Sequence, residues 1–97
     1  MEVNFFAPNA PFIVDQYLLG RQWFNPYPNG IHYNESGEKE KEIMKQECEA
    51  STKKLGEFIK NKCSINNLLY QDCFVIGFSQ GAMIAYELGN YLNKKLK

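Results

Sequence analysis

Ser79 is the residue of this 97-residue chain whose type and surroundings are best suited to chemistry. It lies at the centre of Gly77-Phe78-Ser79-Gln80-Gly81, with a glycine two residues away on either side. This G-x-S-x-G spacing is typical of a sharp turn that presents a serine hydroxyl as the nucleophile of acyl transfer. A plain tight turn is an alternative interpretation. A phosphate-binding loop is disfavoured, because the glycines fit neither G-x-x-x-x-G-K-[ST] nor G-x-G-x-x-G.

The residues on either side of this turn predict the elements that must position it. Cys73 to Phe78 is an apolar run without polar alternation, which is typical of a strand buried on both faces of a parallel sheet. The run from Ala82 to Leu88 predicts a helix that follows at once. Unpaired N–H groups at the start of that helix would then lie beside the Ser79 hydroxyl, where they favour developing negative charge.

A nucleophilic serine needs a base to take its proton and a third group to orient that base. The one histidine is His32, which precedes Ser79, although enzymes with this turn have the chain order serine, acid, histidine. The two aspartates, Asp15 and Asp72, also precede it. The sequence therefore predicts a nucleophile whose acid and base are not encoded among these residues.

Upstream of the turn, Val3 to Ala7 predicts a short strand that Pro8 ends. The stretch from Phe12 to Tyr33 is rich in aromatic residues, Pro, Asn and Gly and shows no sustained period, so we expect an ordered loop. Trp23 and Phe24 lie in that loop. They either line an apolar, substrate-binding pocket near the serine or cover the sheet.

A charged amphipathic helix is predicted from Glu38 to Lys62, with Ser36 as its cap. Glutamates gather at its start and lysines toward its end, which complements the helix dipole. Its apolar face is predicted from residues at three- and four-residue steps, namely Met44, Cys48, Ser51, Leu55, Phe58 and Ile59. Together these elements predict an α/β fold: one domain over residues 1–97, built as a βαβα unit with parallel strands and a right-handed crossover.

Composition excludes several classes of function. Acidic and basic residues balance to a net charge of zero, so no attraction to nucleic acid or to an anionic membrane is expected. The three cysteines form no C-x-x-C pair, which predicts free thiols, no metal and a reducing, cytoplasmic setting. No apolar run is long enough to span a bilayer. No cofactor is predicted.

The same residues carry a family resemblance. Gly77-Phe78-Ser79-Gln80-Gly81 resembles the GFSQG turn of the phospholipase/carboxylesterase branch of the α/β-hydrolases, which includes acyl-protein thioesterases and lysophospholipases. Ala7-Pro8-Asn9-Ala10-Pro11 is similar to a P-N-A-P segment of that family, and Trp23-Phe24 is similar to its tryptophan–aromatic pair. The order and approximate spacing of the three segments agree.

The resemblance implies a serine hydrolase of carboxylic esters, thioesters or lysophospholipids. It implies that Ser79 is the nucleophile and that the backbone N–H of Gln80 is one oxyanion donor. It also implies an internal fragment of a partial α/β-hydrolase domain, since the family's other oxyanion loop would precede Met1 and its aspartate and histidine would follow Lys97. Such a chain is expected to be almost inactive alone. The alternative is a non-enzymatic interaction module, or one piece of a split hydrolase, that associates with itself or with complementing chains.

Overall fold

Two helices dominate the computed structural model, which describes residues 3–14 and 20–95. The first helix, α1, spans Glu38–Asn66 and the second, α2, spans Gln80–Lys95. The two-residue strands β1, Phe12–Ile13, and β2, Arg21–Gln22, pair antiparallel in the loop that precedes α1. Short 3-10 turns at Pro28–Gly30, Tyr33–Glu35 and Tyr70–Asp72 complete the regular structure of the described residues.

The predicted first helix is confirmed and continues four residues further, to Asn66. It ends because Asn67 adopts a left-handed conformation (φ 61°, ψ 41°) and donates its N–H to the Cys63 carbonyl. The prediction that Ser36 caps this helix is wrong. The capping position is Gly37, and the Ser36 hydroxyl instead donates to the His32 carbonyl at 3.0 Å. Because the Ser36 hydroxyl donates to this carbonyl of the preceding loop, it does not cap α1.

The core lies between α1 and α2. Ile84 and Leu88 of α2 are each 1% exposed, and they recur at the four-residue spacing that places side chains on one helix face. The buried residues of α1 are small, namely Ser51, Thr52, Gly56 and Cys63. Small side chains let the two helix axes approach closely. The packing therefore depends on the small residues of α1 as well as on the larger side chains of Ile84 and Leu88.

Gly56 gives a direct test of that packing. A Cβ atom at Gly56 would lie 2.7 Å from Cε1 of Tyr91 on α2, and such overpacking costs about 1–3 kcal/mol. We expect Gly56→Ala to lower the free energy of unfolding measured by urea denaturation. Gly89→Ala is the matched control, because nothing lies within 4 Å of a Cβ there and the helix propensity of alanine should add up to about 1 kcal/mol. If Gly56→Ala stabilises as much as Gly89→Ala, this account of the packing fails.

The predicted strands Val3 to Ala7 and Cys73 to Phe78 are not formed in this structure. Neither segment has strand hydrogen bonding, and among the described residues the sheet contains only β1 and β2, in antiparallel register. The predicted parallel βαβα unit is therefore absent here. The physical reason is that a strand exists only through hydrogen bonds to a neighbouring strand, and neither segment lies beside one.

These two segments nevertheless keep the exposure pattern of strands with uncovered faces. Phe74, Ile76 and Phe78 are 93%, 93% and 91% exposed, whereas Val75 is 49% exposed. Phe5 is 87% exposed, while its neighbour Phe6 stacks edge-on against Phe58 of α1 at 6.1 Å. Alternation with a period of two is typical of extended chain. Even the less exposed residues, Val75 and Phe6, keep 49% and 46% of their surface exposed, so both segments carry apolar side chains that little covers.

The total surface agrees with this exposure. The chain exposes 7890 Å², whereas the scaling of surface with mass gives about 5,700 Å² for a compact protein of its mass. Its extents of 46 × 34 × 18 Å describe a slab. In the described ranges, 3–14 and 20–95, no helix combines the length and the apolar character that crossing a membrane requires.

Candidate active site

Ser79 has the backbone conformation that the turn requires. Its φ is 57°, in the left-handed region that non-glycine residues rarely adopt, at a cost of about 1–2 kcal/mol. It follows the exposed apolar segment directly and precedes α2, and its side chain is exposed. Strain of this kind persists only where the surrounding structure enforces it, and it concentrates at functional sites.

Gly77 is the residue that permits this turn. A Cβ atom at Gly77 would overlap the Gly81 carbonyl oxygen and would lie 2.6 Å from the Gly81 carbonyl carbon and 2.7 Å from the Ala82 nitrogen. All three atoms belong to the backbone, so none can move aside cheaply. Gly81 differs, because the nearest atom to a Cβ there is Trp23 Nε1 at 3.9 Å. Sequence reasoning assigned the geometry to both glycines, but only Gly77 is sterically required in this structure.

The first turn of α2 leaves one backbone donor beside the serine. The N–H of Gly81 donates to the Phe78 carbonyl at 2.9 Å, and the N–H groups of Ala82 and Met83 donate to the Ser79 carbonyl at 2.9 and 3.3 Å. Gln80 is the first residue of α2, so its N–H finds no acceptor inside the helix. That N–H, at the positive end of the helix dipole, is suited to an anionic oxygen.

The Gln80 side chain connects the turn to the upstream loop. Its Oε1 accepts from the Trp23 N–H at 2.7 Å, and its Nε2 donates to the Phe24 carbonyl at 2.9 Å. A glutamine amide can fill both roles at once because it carries a donor and an acceptor. Sequence reasoning used only the backbone of Gln80 and missed this contact. No local pattern predicts it, since the partners are 56 and 57 positions away.

The Trp23-Phe24 segment is also held from the side of α1. The Ser51 hydroxyl, which is fully buried, donates to the Trp23 carbonyl at 2.6 Å, and Glu47 accepts from the Asn25 N–H at 2.8 Å. Phe24 is 6% exposed and belongs to the core, whereas Trp23 is half-buried. Of the two residues predicted to bind substrate, Trp23 therefore has the surface that a ligand could contact.

Removing the Gln80 amide should loosen this segment without changing the turn itself. We expect Gln80→Ala to lower the free energy of unfolding by about 1–3 kcal/mol, the cost of leaving buried polar groups unpaired. Trp23 is the sole tryptophan of the chain, so its fluorescence reports directly on the loosened segment and should shift to the red.

Gln80→Glu is the matched variant, because it keeps the acceptor for Trp23 but replaces the donor to Phe24 with an oxygen. It should also shift the fluorescence, since a carboxylate oxygen would then face the Phe24 carbonyl. An emission spectrum unchanged in both variants would contradict the role of the Gln80 amide in holding the Trp23-Phe24 segment.

The local contacts of Ser79 and of the candidate acid and base residues can be described one by one. Within residues 3–14 and 20–95, no hydrogen bond joins the Ser79 side chain to another residue. His32 accepts from the Asn34 N–H through Nδ1 at 3.2 Å and packs edge-on against Tyr27. Asp72 accepts from the Leu69 N–H at 2.9 Å and so closes its own 3-10 turn. Asp15 lies outside the described residues.

Other candidate sites are less suited to chemistry. A groove of about 1010 Å³ runs between α1 and α2, and its lining includes charged residues such as Lys45, Glu49 and Glu87 as well as Met83. The groove is not lined by Ser79. In the part of the chain that the structure describes, no cluster of three or more His, Cys, Asp or Glu residues is arranged to hold a metal ion.

Comparison with known proteins gives a result that agrees with the turn. No solved structure matches the chain. A family model described as phospholipase/carboxylesterase matches residues 1–97, the whole of the sequence. The chain belongs to the phospholipase/carboxylesterase family of α/β-hydrolases.

Proposed function

We propose that this chain carries the nucleophile of a serine hydrolase that acts on carboxylic esters or thioesters, with Ser79 as that nucleophile. The observation that carries the proposal is the φ of 57° at Ser79, enforced by the close approach of Gly77 to the Gly81–Ala82 backbone. A plain tight turn does not require a strained serine at the start of a helix, whereas an exposed nucleophile held on such a turn does.

The chemistry follows from these positions. The Ser79 oxygen attacks the carbonyl carbon of the substrate, and the resulting oxyanion accepts a hydrogen bond from the Gln80 N–H. Collapse of that intermediate expels the alcohol or thiol and leaves an acyl group on Ser79, which water then removes. Loss of one donor of this kind typically costs about 10²–10³ in kcat. Trp23, which adjoins Gly81, is the residue we propose to contact the substrate, while Phe24 supports it from the core.

The proton of Ser79 must pass to a base that these residues do not bring into contact with it. We propose that the base, the acid that orients it and the second oxyanion donor come from polypeptide outside residues 1–97. The apolar side chains of the two strand-like segments support this, because they are exposed and further polypeptide could cover them. The chain exposes about 2,200 Å² more than a compact protein of its mass would, which exceeds the roughly 800 Å² that each partner buries in a standard interface.

A chimera tests the proposal. Residues 1–97 would replace the corresponding segment of a complete member of the family, which then supplies the missing groups. We expect the chimera to hydrolyse a p-nitrophenyl ester and a lysophospholipid or acyl thioester, and the 97-residue chain alone to be almost inactive toward all of them. A folded chimera with no hydrolysis of any of these substrates would contradict the assignment of Ser79.

The second candidate function is a non-enzymatic interaction module, and the exposed apolar residues Phe74, Ile76 and Phe78 favour it. Exposed strand edges and apolar faces promote association with another chain. Light scattering on the purified chain distinguishes the outcomes. A stable monomer with no tendency to associate would exclude the interaction module, whereas an inert chimera combined with defined oligomers would favour it over the hydrolase.

A further inference from the structure

Two of the three cysteines lie in contact, which their separation in sequence does not suggest. The Sγ atoms of Cys63 and Cys73 are 3.3 Å apart and share a hydrogen bond. The residues are ten positions apart and belong to different elements, since Cys63 lies in the last turn of α1 and Cys73 opens the segment that leads to Ser79. Cys48, the third cysteine, adjoins the groove between α1 and α2 instead.

Backbone hydrogen bonds fix the two turns that carry these thiols. The N–H groups of Asn67 and Leu68 donate to the Cys63 carbonyl, which closes the end of α1. The Cys73 N–H donates to the Tyr70 carbonyl at 3.0 Å, which closes the 3-10 turn before the apolar segment. The two sulfur atoms therefore meet at 3.3 Å from two hydrogen-bonded turns.

We propose that Cys63 and Cys73 form a thiol–disulfide exchange site that reacts with small disulfides such as glutathione disulfide and ends as an intramolecular disulfide. This assignment does not depend on the hydrolase chemistry of Ser79. The expectation from composition that the three cysteines are free thiols is confirmed, and the structure adds that two of them are in contact.

The two thiols have different roles. Cys63 is 6% exposed, and burial, with a further contribution from its hydrogen bond to Cys73, raises the pKa of its thiol to about 11. It is therefore protonated near neutral pH and is a poor first nucleophile. Cys73 is only half-buried, so it is the thiol that meets a dissolved disulfide, and Cys63 is the thiol that resolves the product.

The reaction balances in two steps. The Cys73 thiolate attacks one sulfur of glutathione disulfide, which forms a mixed disulfide on Cys73 and releases one glutathione thiolate. The Cys63 thiol then loses its proton, its sulfur attacks Cys73 Sγ, and the second glutathione leaves as thiolate. Two protein thiols are oxidised, one glutathione disulfide is reduced to two glutathione molecules, and the two released protons go to these thiolates or to solvent.

A small open pocket lies on the Cys63 side of the pair, and Cys73 is not among its lining residues. It has a volume of about 240 Å³, and its lining includes Cys63, Lys60, Leu68 and Tyr70. Lys60 is a basic residue of this lining and glutathione carries carboxylates, so the lining and glutathione are complementary in charge. The disulfide would join the end of α1 to the first residue of the segment that ends in Ser79.

Peptide mapping tests the proposal on the complete chain. Trypsin releases Cys63 and Cys73 in one peptide, Cys63–Lys94, because no lysine or arginine lies between them, whereas Cys48 leaves in Gln46–Lys53. After incubation with glutathione disulfide and quenching by acid, we expect the first peptide to lose two hydrogens in mass, reversibly with dithiothreitol. This product should exceed any cross-link to Cys48 by at least about tenfold, because contacting thiols have a high effective concentration.

The single-cysteine variants separate the roles. Cys63→Ser should accumulate a stable glutathione adduct on Cys73, Cys73→Ser should leave Cys63 unmodified, and Cys48→Ser should behave as wild type. Wild-type protein that accumulates the glutathione adduct on Cys73 without forming the internal disulfide would overturn the proposal. Cross-links to Cys48 in amounts equal to the Cys63–Cys73 product would also overturn the proposal. Equal amounts are what an unfolded chain, in which no pair of thiols is in preferred contact, would give.

Discussion

Replacing Ser79 with alanine in the chimera is expected to lower kcat for ester hydrolysis by about 10⁴–10⁶, as loss of a catalytic serine nucleophile does in other serine hydrolases. The hydroxyl is exposed and makes no hydrogen bond to the described residues, so its removal takes away no packing. The free energy of unfolding should change by less than about 0.5 kcal/mol, which is usual for a surface substitution. The two measurements together separate a chemical role from a structural one.

Ser64→Ala is the matched control for Ser79→Ala. Ser64 is also an exposed serine but lies within α1 rather than on a strained turn. Its replacement should leave kcat and KM unchanged. If Ser79→Ala keeps more than about a tenth of the wild-type rate while the protein is folded, the hydroxyl is not the nucleophile, because covalent catalysis depends on that atom.

Gly77→Ala is expected to be the most destabilising substitution of the turn. The added Cβ would overlap backbone atoms of Gly81 and Ala82 at the first turn of α2, and backbone cannot relax as a flexible side chain does. We expect the free energy of unfolding to fall by at least about 3 kcal/mol, the upper part of the usual overpacking range. That is a large share of the total of about 5–15 kcal/mol that a typical domain has. The chimera should also lose its activity, because the turn that presents Ser79 is displaced.

Gly81→Ala provides the comparison, since it adds the same methyl group four residues later. A Cβ there would meet only Trp23 Nε1, at an ordinary contact distance of 3.9 Å. Urea denaturation should show a change within about 1 kcal/mol, the size of a helix-propensity effect. Equal destabilisation by the two substitutions would show that the turn does not depend on the close approach at Gly77.

Local features of this protein could be predicted from the sequence because they depend on neighbouring residues. The amphipathic period and charge gradient placed α1 correctly, since both arise from the geometry of a single helix. The glycine spacing around Ser79 predicted the turn. The helix after the serine was predicted from Ala82 to Leu88, whereas α2 begins at Gln80, directly after Ser79, and continues to Lys95.

Features that depend on distant partners could not be predicted. The contact of Gln80 with Trp23 and Phe24 joins positions 56 and 57 residues apart, and the Cys63–Cys73 contact depends on how α1 ends. The predicted parallel strands were not formed, although their apolar pattern is present. A β pattern specifies which residues favour extended chain, but a sheet also needs a neighbouring strand to accept its hydrogen bonds.

Covalent labelling with a fluorophosphonate, followed by peptide mapping, tests the central claim most directly. The probe reacts with a serine only when a base activates its hydroxyl. We predict that the chimera is labelled at Ser79 and that the purified 97-residue chain is labelled at background level. Robust labelling of Ser79 in the isolated chain would contradict the claim that its base and acid come from elsewhere, and labelling of the folded chimera at another serine of this chain would contradict Ser79 as the nucleophile.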